Sequence, residues 1–278
     1  MNETIVVNES QAKNVLDSII LPPRPAIMIA ISAAQQRDAE LNEMAELISH
    51  DISLSAIILK TINSSFYSLP NRISSIEEAV KLLGMKNISM LITGLSLRNL
   101  SPSKKFDIFW DHCDSSGLIS AYLAQQLGGI NKDDAHLLGL FHDCGRILMH
   151  QQFDNYQATL NIAVDSDRHL IHHEKERHST DHAQVGSFLA KAWCLPMNII
   201  EAIKLHHDID VFHKGLATDS VLSLILLIHL AEHIGNPDSI YNDSMWSAYS
   251  DEFMEYLCIT EDQVTDLQWH VTQKNNSL

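Results

Sequence analysis

Apolar residues recur at three- and four-residue intervals along almost the whole of this chain, and little interrupts them. Leu41, Met44, Ala45 and Ile48 make one such stripe. Only 10 Gly and 7 Pro punctuate 278 residues, and strand-like alternation is confined to a short Thr4–Val7 stretch. The pattern predicts an all-α chain. Ser74 and Ser75 each precede a glutamate by three residues, Glu77 and Glu78, which is a capping-box signal before Ala79, Val80, Leu82 and Leu83. Gly84 is the expected stop of that helix, and the next spans about Lys86 to Leu97. Pro102 and two lysines then break the pattern at Arg98–Lys105, where a boundary is expected between a helical lobe at 14–100 and a second at 101–235. Helices are predicted over Asp107–Leu127, ended by Gly128–Gly129, and over Lys132–Gln151. A polar stretch, His169–Ser179, reads as a solvated loop. Further helices are expected at Asp181–Trp193, from Pro196 to His206–His207, and at Asp219–Ile234, which stops at Gly235 and Pro237. A looser helical tail fills 236–278. No internal repeat or low-complexity run is visible.

Charge and cysteine usage narrow the class of function. With 19 Lys and Arg against 35 Asp and Glu the formal net charge is −16, which argues against a partner presenting a phosphate backbone or an anionic membrane. No Lys or Arg precedes Lys13 and no apolar core follows it, so no secretory signal is expected. The longest apolar run, Val221 to Ala231, is about half a bilayer span and contains Ser223 and His229; it is expected as a buried helix. Cys113, Cys144, Cys194 and Cys258 show no CxxC spacing, which fits reduced thiols in a cytoplasmic protein.

The chain has 16 histidines, and those that matter chemically are His112, His142 next to Asp143, His182, and the His206–His207 pair, with Glu232 farther on. Each is expected on a helix with apolar neighbours at helical spacing: His182 with Val185, Gly186 and Leu189, His206 after Ile199 and Ile203, and Glu232 after Ile225 and Ile228. An ionisable group on a buried face must be neutralised, hydrogen-bonded or coordinated. Taken singly, such a histidine is most often a satisfied core residue. Imidazoles and carboxylates converging from several helices instead make a cage for Fe, Mn, Zn or a similar ion. The run His169, His172, His173 and His178 has no clear carboxylate partner; Glu174 and Glu176 are the acids in it that can approach a site. Trp193 is expected as a core anchor.

The order of these groups carries a family resemblance. Residues 63–84, Asn-Ser-Ser-Phe-Tyr-Ser-Leu-Pro-Asn-Arg-Ile-Ser-Ser-Ile-Glu-Glu-Ala-Val-Lys-Leu-Leu-Gly, closely resemble the signature of HDOD domains, the HD-related output domains of signalling proteins. Leu21-Pro-Pro-Arg-Pro25 resembles the opening of that family and Ile48-Ser-His-Asp51 its following helix. Asp181-His-Ala-Gln-Val-Gly186, Trp193, Leu195-Pro196 and His206-His207 resemble its second half. The likeness covers roughly residues 14–235. It implies an all-helical, two-lobed fold whose C-terminal lobe is related to the HD-superfamily metal-dependent phosphohydrolases.

The same resemblance implies a ligand set. His112, His142, Asp143 and Glu232 stand where HD proteins carry a His, a His-Asp pair and a later Asp. His182, His206 and His207 match the added histidines of the HD-GYP phosphodiesterases. One or two divalent ions are therefore expected, with Asp143 bridging them and Arg146 meeting substrate phosphate. There are three departures: Glu232 replaces the usual Asp, Arg146 replaces the Lys of HD-x-GK, and no Gly-Tyr-Pro follows His206-His207-Asp208. The last speaks against cyclic-dinucleotide hydrolysis, and Arg is no geometric equivalent of Lys. The expected role is a cytoplasmic signal-transduction module of bacterial type that acts through signalling proteins and carries metal, with a homodimer left open. The alternative is a metal-dependent phosphohydrolase acting on a phosphorylated small molecule or nucleotide. Phe66, Tyr67 and Leu69 are expected to pack the lobes, and neither DNA nor a membrane is an expected partner.

Overall fold

The computed structural model describes residues 15–63, 69, 71–101, 103–164, 169–235 and 245–275. The Thr4–Val7 stretch, Phe66, Tyr67, Pro102 and Pro237 lie outside them. The fold is all-α, with no strand among the described residues. Its helices are α1 Ala26–Gln36, α2 Leu41–Ser49, α3 Ile52–Ile62, α4 Ile76–Arg98, α5 Asp107–Leu127, α6 Lys132–Phe141, α7 Gly145–Gln152, α8 Tyr156–Val164, α9 Leu170–His178, α10 His182–Ala192, α11 Met197–Leu205, α12 Asp210–Lys214, α13 Asp219–Gly235, α14 Met245–Leu257 and α15 Glu261–Asn275. The chain divides into two compact units. One joins the segment ending at Pro22 to Ser103–Gln268, and the other joins Pro23–Pro102 to the segment from Trp269 onward.

The smaller unit is built on the stripes seen in the sequence. Met44, Ala45 and Ile48 of α2 pack with Ile31 and Ala34 of α1, Ile58 and Ile62 of α3, and Val80, Ile88 and Ile92 of α4, while Leu69 packs against this core. At the start of α4, Ser75 Oγ accepts from the Glu78 N–H at 3.1 Å, and the Glu78 carboxylate accepts from the Ser74 N–H at 2.9 Å. Asn63 closes α3 by donating to Leu59 O and Ile73 O while accepting from the Ile73 N–H. Helix α4 is long and apolar enough by composition to cross a bilayer. It is nevertheless broken at Gly84 (φ 74, ψ 169), and Val80, Ile88, Leu91 and Ile92 lie in this core while Leu82 is exposed.

The larger unit departs from expectation in two places. Lys132–Gln151 is not one helix: α6 ends at Phe141, His142–Cys144 form a turn, and α7 starts at Gly145. Through the turn the i−4 ladder gives way to i−3 bonds, with the N–H groups of Cys144, Arg146 and Ile147 donating to the carbonyls of Phe141, Asp143 and Cys144. Helical backbone angles persist at His142 and Cys144, so no proline or positive-φ glycine marked the break. Second, His169–Ser179 is not a loop. It forms α9, whose inner face buries His173, Glu174 and His178. Its inward-facing groups are polar, and apolar periodicity is blind to such a face.

Close helix approaches set the position of everything downstream. A Cβ on Gly139 would lie 2.5 Å from Gly117 Cα, so α6 rests directly on α5. A Cβ on Gly145 would lie 1.9 Å from His182 O, so the start of α7 abuts the start of α10. Asp181 caps α10 by accepting from the Gln184 N–H at 2.7 Å. At its other end Trp193, buried as expected, donates to Pro22 O at 3.1 Å and meets Phe141 edge-on. Gly145→Ala is expected to cost about 3 kcal/mol or more, because backbone rather than a movable side chain occupies the space. Asn131→Ala, which removes the cap of α6, should cost about 1 kcal/mol. Urea denaturation of both variants measures the difference, and equal losses would contradict the close packing.

Candidate metal centre

The turn after α6 carries Asp143, which is buried and has a different set of neighbours at each carboxylate oxygen. Oδ2 lies 3.6 Å from His142 Nε2, 3.8 Å from His112 Nε2 and 3.0 Å from Arg146 Nε. Oδ1 lies 3.1 Å from His182 Nε2 and 3.8 Å from His206 Nε2. Glu232, from α13, closes the first side, with Oε1 at 3.0 Å from His142 Nε2 and 3.4 Å from His112 Nε2. His207 closes the second, with its Nε2 at 2.9 Å from that of His182. Two quartets result, His112, His142, Asp143 and Glu232 on one side, and Asp143, His182, His206 and His207 on the other. In each, the donor atoms lie within 4.8 Å of one another. The structure thus brings together all seven residues named from the sequence, drawn from α5, the α6–α7 turn, α10, the end of α11 and α13.

The backbone and a neighbouring acid fix which nitrogen of each ring faces inward. His142 Nδ1 lies 2.9 Å from Gly139 O, and His206 Nδ1 lies 2.7 Å from Ile203 O; a carbonyl can only accept, so both Nδ1 atoms carry the proton. His182 Nδ1 lies 2.7 Å from Glu174 Oε2. The Nε2 atoms of these three rings face Asp143 or Glu232. His206 is kept neutral, far below the ordinary imidazole range, by burial and by His207 and His142 beside it. Its buried Nε2 makes no hydrogen bond. Asp143 stays ionised: burial opposes this, but Arg146 and His142 hold it well below the usual carboxylate range. Glu232 is likewise driven down, against burial, by His112 and His142. Imidazole nitrogens converging on shared carboxylates, with the rings of His142, His182 and His206 braced through their other nitrogen, are the donor set of a divalent metal site, and the residues fit one.

Some groups sit otherwise than the sequence suggested. Arg146 is buried against Asp143. Glu176 is exposed, whereas Glu174 is fully buried. Of the two acids expected to approach a site from this segment only Glu174 does so, while Tyr156 and His229 join the site with no signal in the sequence that pointed to them. Glu174 accepts from the His182 N–H at 3.0 Å and from the Tyr156 hydroxyl. His229 Nε2 donates to His206 O at 2.6 Å. Glu174 stands eight residues before His182 in a segment whose charge suggested solvent; His229 lies three residues before Glu232, one helical turn away. Beside His112 and Glu232 a cavity of about 180 Å³ opens between α5 and α13, lined also by Asp111, Ser115, Ser116 and Ile119.

A family model for the HDOD domain matches residues 21–209, and the chain belongs to the HDOD domain family. Among curated proteins it resembles an uncharacterized protein of Treponema pallidum, 26% identical over 197 residues that cover 68% of this chain and 38% of that one. The chain spans well under half the length of the curated relatives it matches. Among solved structures it superposes on a "putative phosphohydrolase" of Shewanella amazonensis, with TM-score 0.73, 23% identity and coverage of 95% of this chain and 94% of the other. It also superposes on a "putative signal transduction protein" of Marinobacter aquaeolei, with TM-score 0.74, 18% identity and coverage of 99% and 66%. At such identities the likeness speaks for the fold.

The acids of the cluster also hold protons on the imidazoles that face them. Burial opposes a charge on His182, yet Glu174 and Asp143 outweigh it and push the imidazole up to about 10. Asp143 and Glu232 raise His142 in the same way. Below about pH 10 a metal ion must displace a proton from His182 to bind, so the apparent affinity should climb as pH rises from 6 to 8. Calorimetric titration with Mn²⁺ in buffers of different ionisation enthalpy should register net proton release at pH 7. A pH-independent affinity without proton release would contradict the assignment of inward-facing nitrogens.

Proposed function

We propose that the chain is a signal-transduction module of the HDOD family whose larger unit holds a pair of divalent ions. The observation that carries this reading is the division of labour within Asp143, one oxygen facing each quartet of donors. His112, His142 and Glu232 complete one position, and His182, His206 and His207 the other. Membership in a family of output domains supports the signalling role, as does the similarity in fold to a protein named for signal transduction. A cytoplasmic setting and signalling proteins as partners belong to the same proposal. All four cysteines are free, and Cys113 and Cys144 are buried next in sequence to His112 and Asp143, which fits a reducing compartment.

A second reading, metal-dependent phosphoester hydrolysis, is favoured by the cavity that opens onto His112 and Glu232. A bound metal pair supplies Lewis acidity toward a phosphoryl oxygen and toward water. The chain's own groups then have separable tasks. Asp143 and Glu232 hold negative charge where the ions sit, Arg146 holds Asp143 in place, and Ser115 and Ser116 offer hydroxyls at the cavity wall.

Elemental analysis of protein purified without an affinity tag is expected to find up to two divalent ions per chain. His142→Ala should lower that content, and metal retained unchanged in the variant would reject the site. Loss of metal together with no turnover on a panel of phosphomonoesters and cyclic nucleotides supports the signalling module. Turnover that Asp143→Asn abolishes supports the hydrolase instead.

A further inference from the structure

Helix α9 contributes no side chain to either quartet, yet it buries a carboxylate completely. Glu174 is 0% exposed, and burial alone would drive its carboxyl toward the neutral form. Its two oxygens instead accept from a set of donors that all lead to one residue or support it. Oε2 accepts from both the backbone N–H of His182 at 3.0 Å and its ring Nδ1–H at 2.7 Å, while Oε1 accepts from the Tyr156 hydroxyl. A carboxylate receiving two bonds from a single residue, one from its main chain and one from its ring, fixes the rotation of that ring about both side-chain torsions. It also fixes the tautomer. With the proton on Nδ1, the Nε2 lone pair is directed at the space between Asp143 Oδ1 at 3.1 Å and His207 Nε2 at 2.9 Å.

The other inward-facing rings are oriented differently. His142 and His206 lean on main-chain carbonyls of their own helices, three residues back, which are neutral acceptors. His182 has a full negative charge behind it, which makes its inward nitrogen the more basic ligand. That charge is in turn held by Tyr156 of α8, which is fully buried and donates its hydroxyl to the other oxygen of the carboxylate. We infer that Glu174, backed by Tyr156, is a positioning residue that builds the histidine-rich half of the metal centre by fixing His182, while the Glu232 half assembles without it. This inference rests on the metal-binding reading and deepens it: the two ion positions are separately supported and can be emptied separately.

The test is a Co²⁺ titration of the chelator-stripped full chain, followed by visible absorption and elemental analysis, with chelator competition to resolve the two steps. Wild type is expected to bind two ions. Glu174→Gln keeps the shape and an acceptor but removes the charge. It should bind one ion as wild type does and the second about 10- to 100-fold more weakly. Tyr156→Phe, which leaves the carboxylate in place, should weaken the second step by a smaller factor, and it carries the test if Glu174→Gln fails to fold by circular dichroism. The selective loss of one step is what a merely structural role would not produce. Two ions bound at unchanged affinity in Glu174→Gln, or equal weakening of both steps, would overturn the inference while leaving the metal reading intact. A wild-type chain that takes up no Co²⁺ would overturn the metal reading and this inference with it.

Discussion

Everything in the larger unit is arranged around one expensive act, the burial of the ionised Asp143 carboxylate. Taking a charge out of water costs several kcal/mol unless partners replace the lost solvation. Here the partners come from five places in the sequence: His112 thirty-one residues earlier on α5, His142 and Arg146 beside it, His182 at the start of α10, and His206 after α11. None of these elements can shift without uncovering that charge. The constraint runs the other way too, because the helices must approach closely enough for short side chains to meet. That is what Gly117 against Gly139 and Gly145 against the His182 carbonyl accomplish. The former contact brings the rings of His112 and His142 to 5.5 Å between centroids, and the latter brings Asp143 to His182.

Much of this was legible before any coordinates. The helical stripes of α2 and α4, the cap at Ser75, the ends of α5 at Asp107 and Leu127, and α13 all follow from periodicity and punctuation. The seven candidate ligands came from the family resemblance, because a single histidine amid apolar neighbours at helical spacing is most often a satisfied core residue. What escaped has a common physical cause. The break between α6 and α7 is made by a shift from i−4 to i−3 hydrogen bonds among residues that keep helical angles, and no residue type announces such a shift. Helix α9 was misread because its buried face is polar: Glu174 and His178, one turn apart, look like a solvated pair until Tyr156, His182 and Thr159 are placed opposite them. Glu174 is invisible to a search for ligands since it touches only a ligand's far side.

The charge balance of the pocket explains why the centre suits cations. Three buried carboxylates, Asp143, Glu174 and Glu232, face one buried guanidinium, Arg146. With all the imidazoles neutral this leaves an excess of negative charge in a low-dielectric interior, where like charges repel far more strongly than in water. The metal-free chain offsets the excess with protons, chiefly on His182 and His142, the two rings that acids raise. His206 takes no part: burial and the neighbouring His207 keep it neutral, although Asp143 Oδ1 lies 3.8 Å from its Nε2. Protons alone therefore balance the charge but leave a donor atom unused, whereas a cation placed between the rings and Asp143 answers both.

The two halves of the centre also differ in kind, and the difference follows from what each helix brings. The half nearer α13 has two carboxylates and two imidazoles, with a cavity at its edge. The half nearer α10 has three imidazoles and shares its single carboxylate, and its leading ring is backed by an anion. Oxygen-rich positions favour harder ions and imidazole-rich ones favour borderline ions of the later first row. On the proposed reading a shared Asp143 would couple the two, since an ion held at one oxygen would withdraw charge from the other. The half with more carboxylate keeps more of its own charge when that happens, so it is the position that should fill first, and the histidine-rich half the one whose occupancy responds to changes behind it.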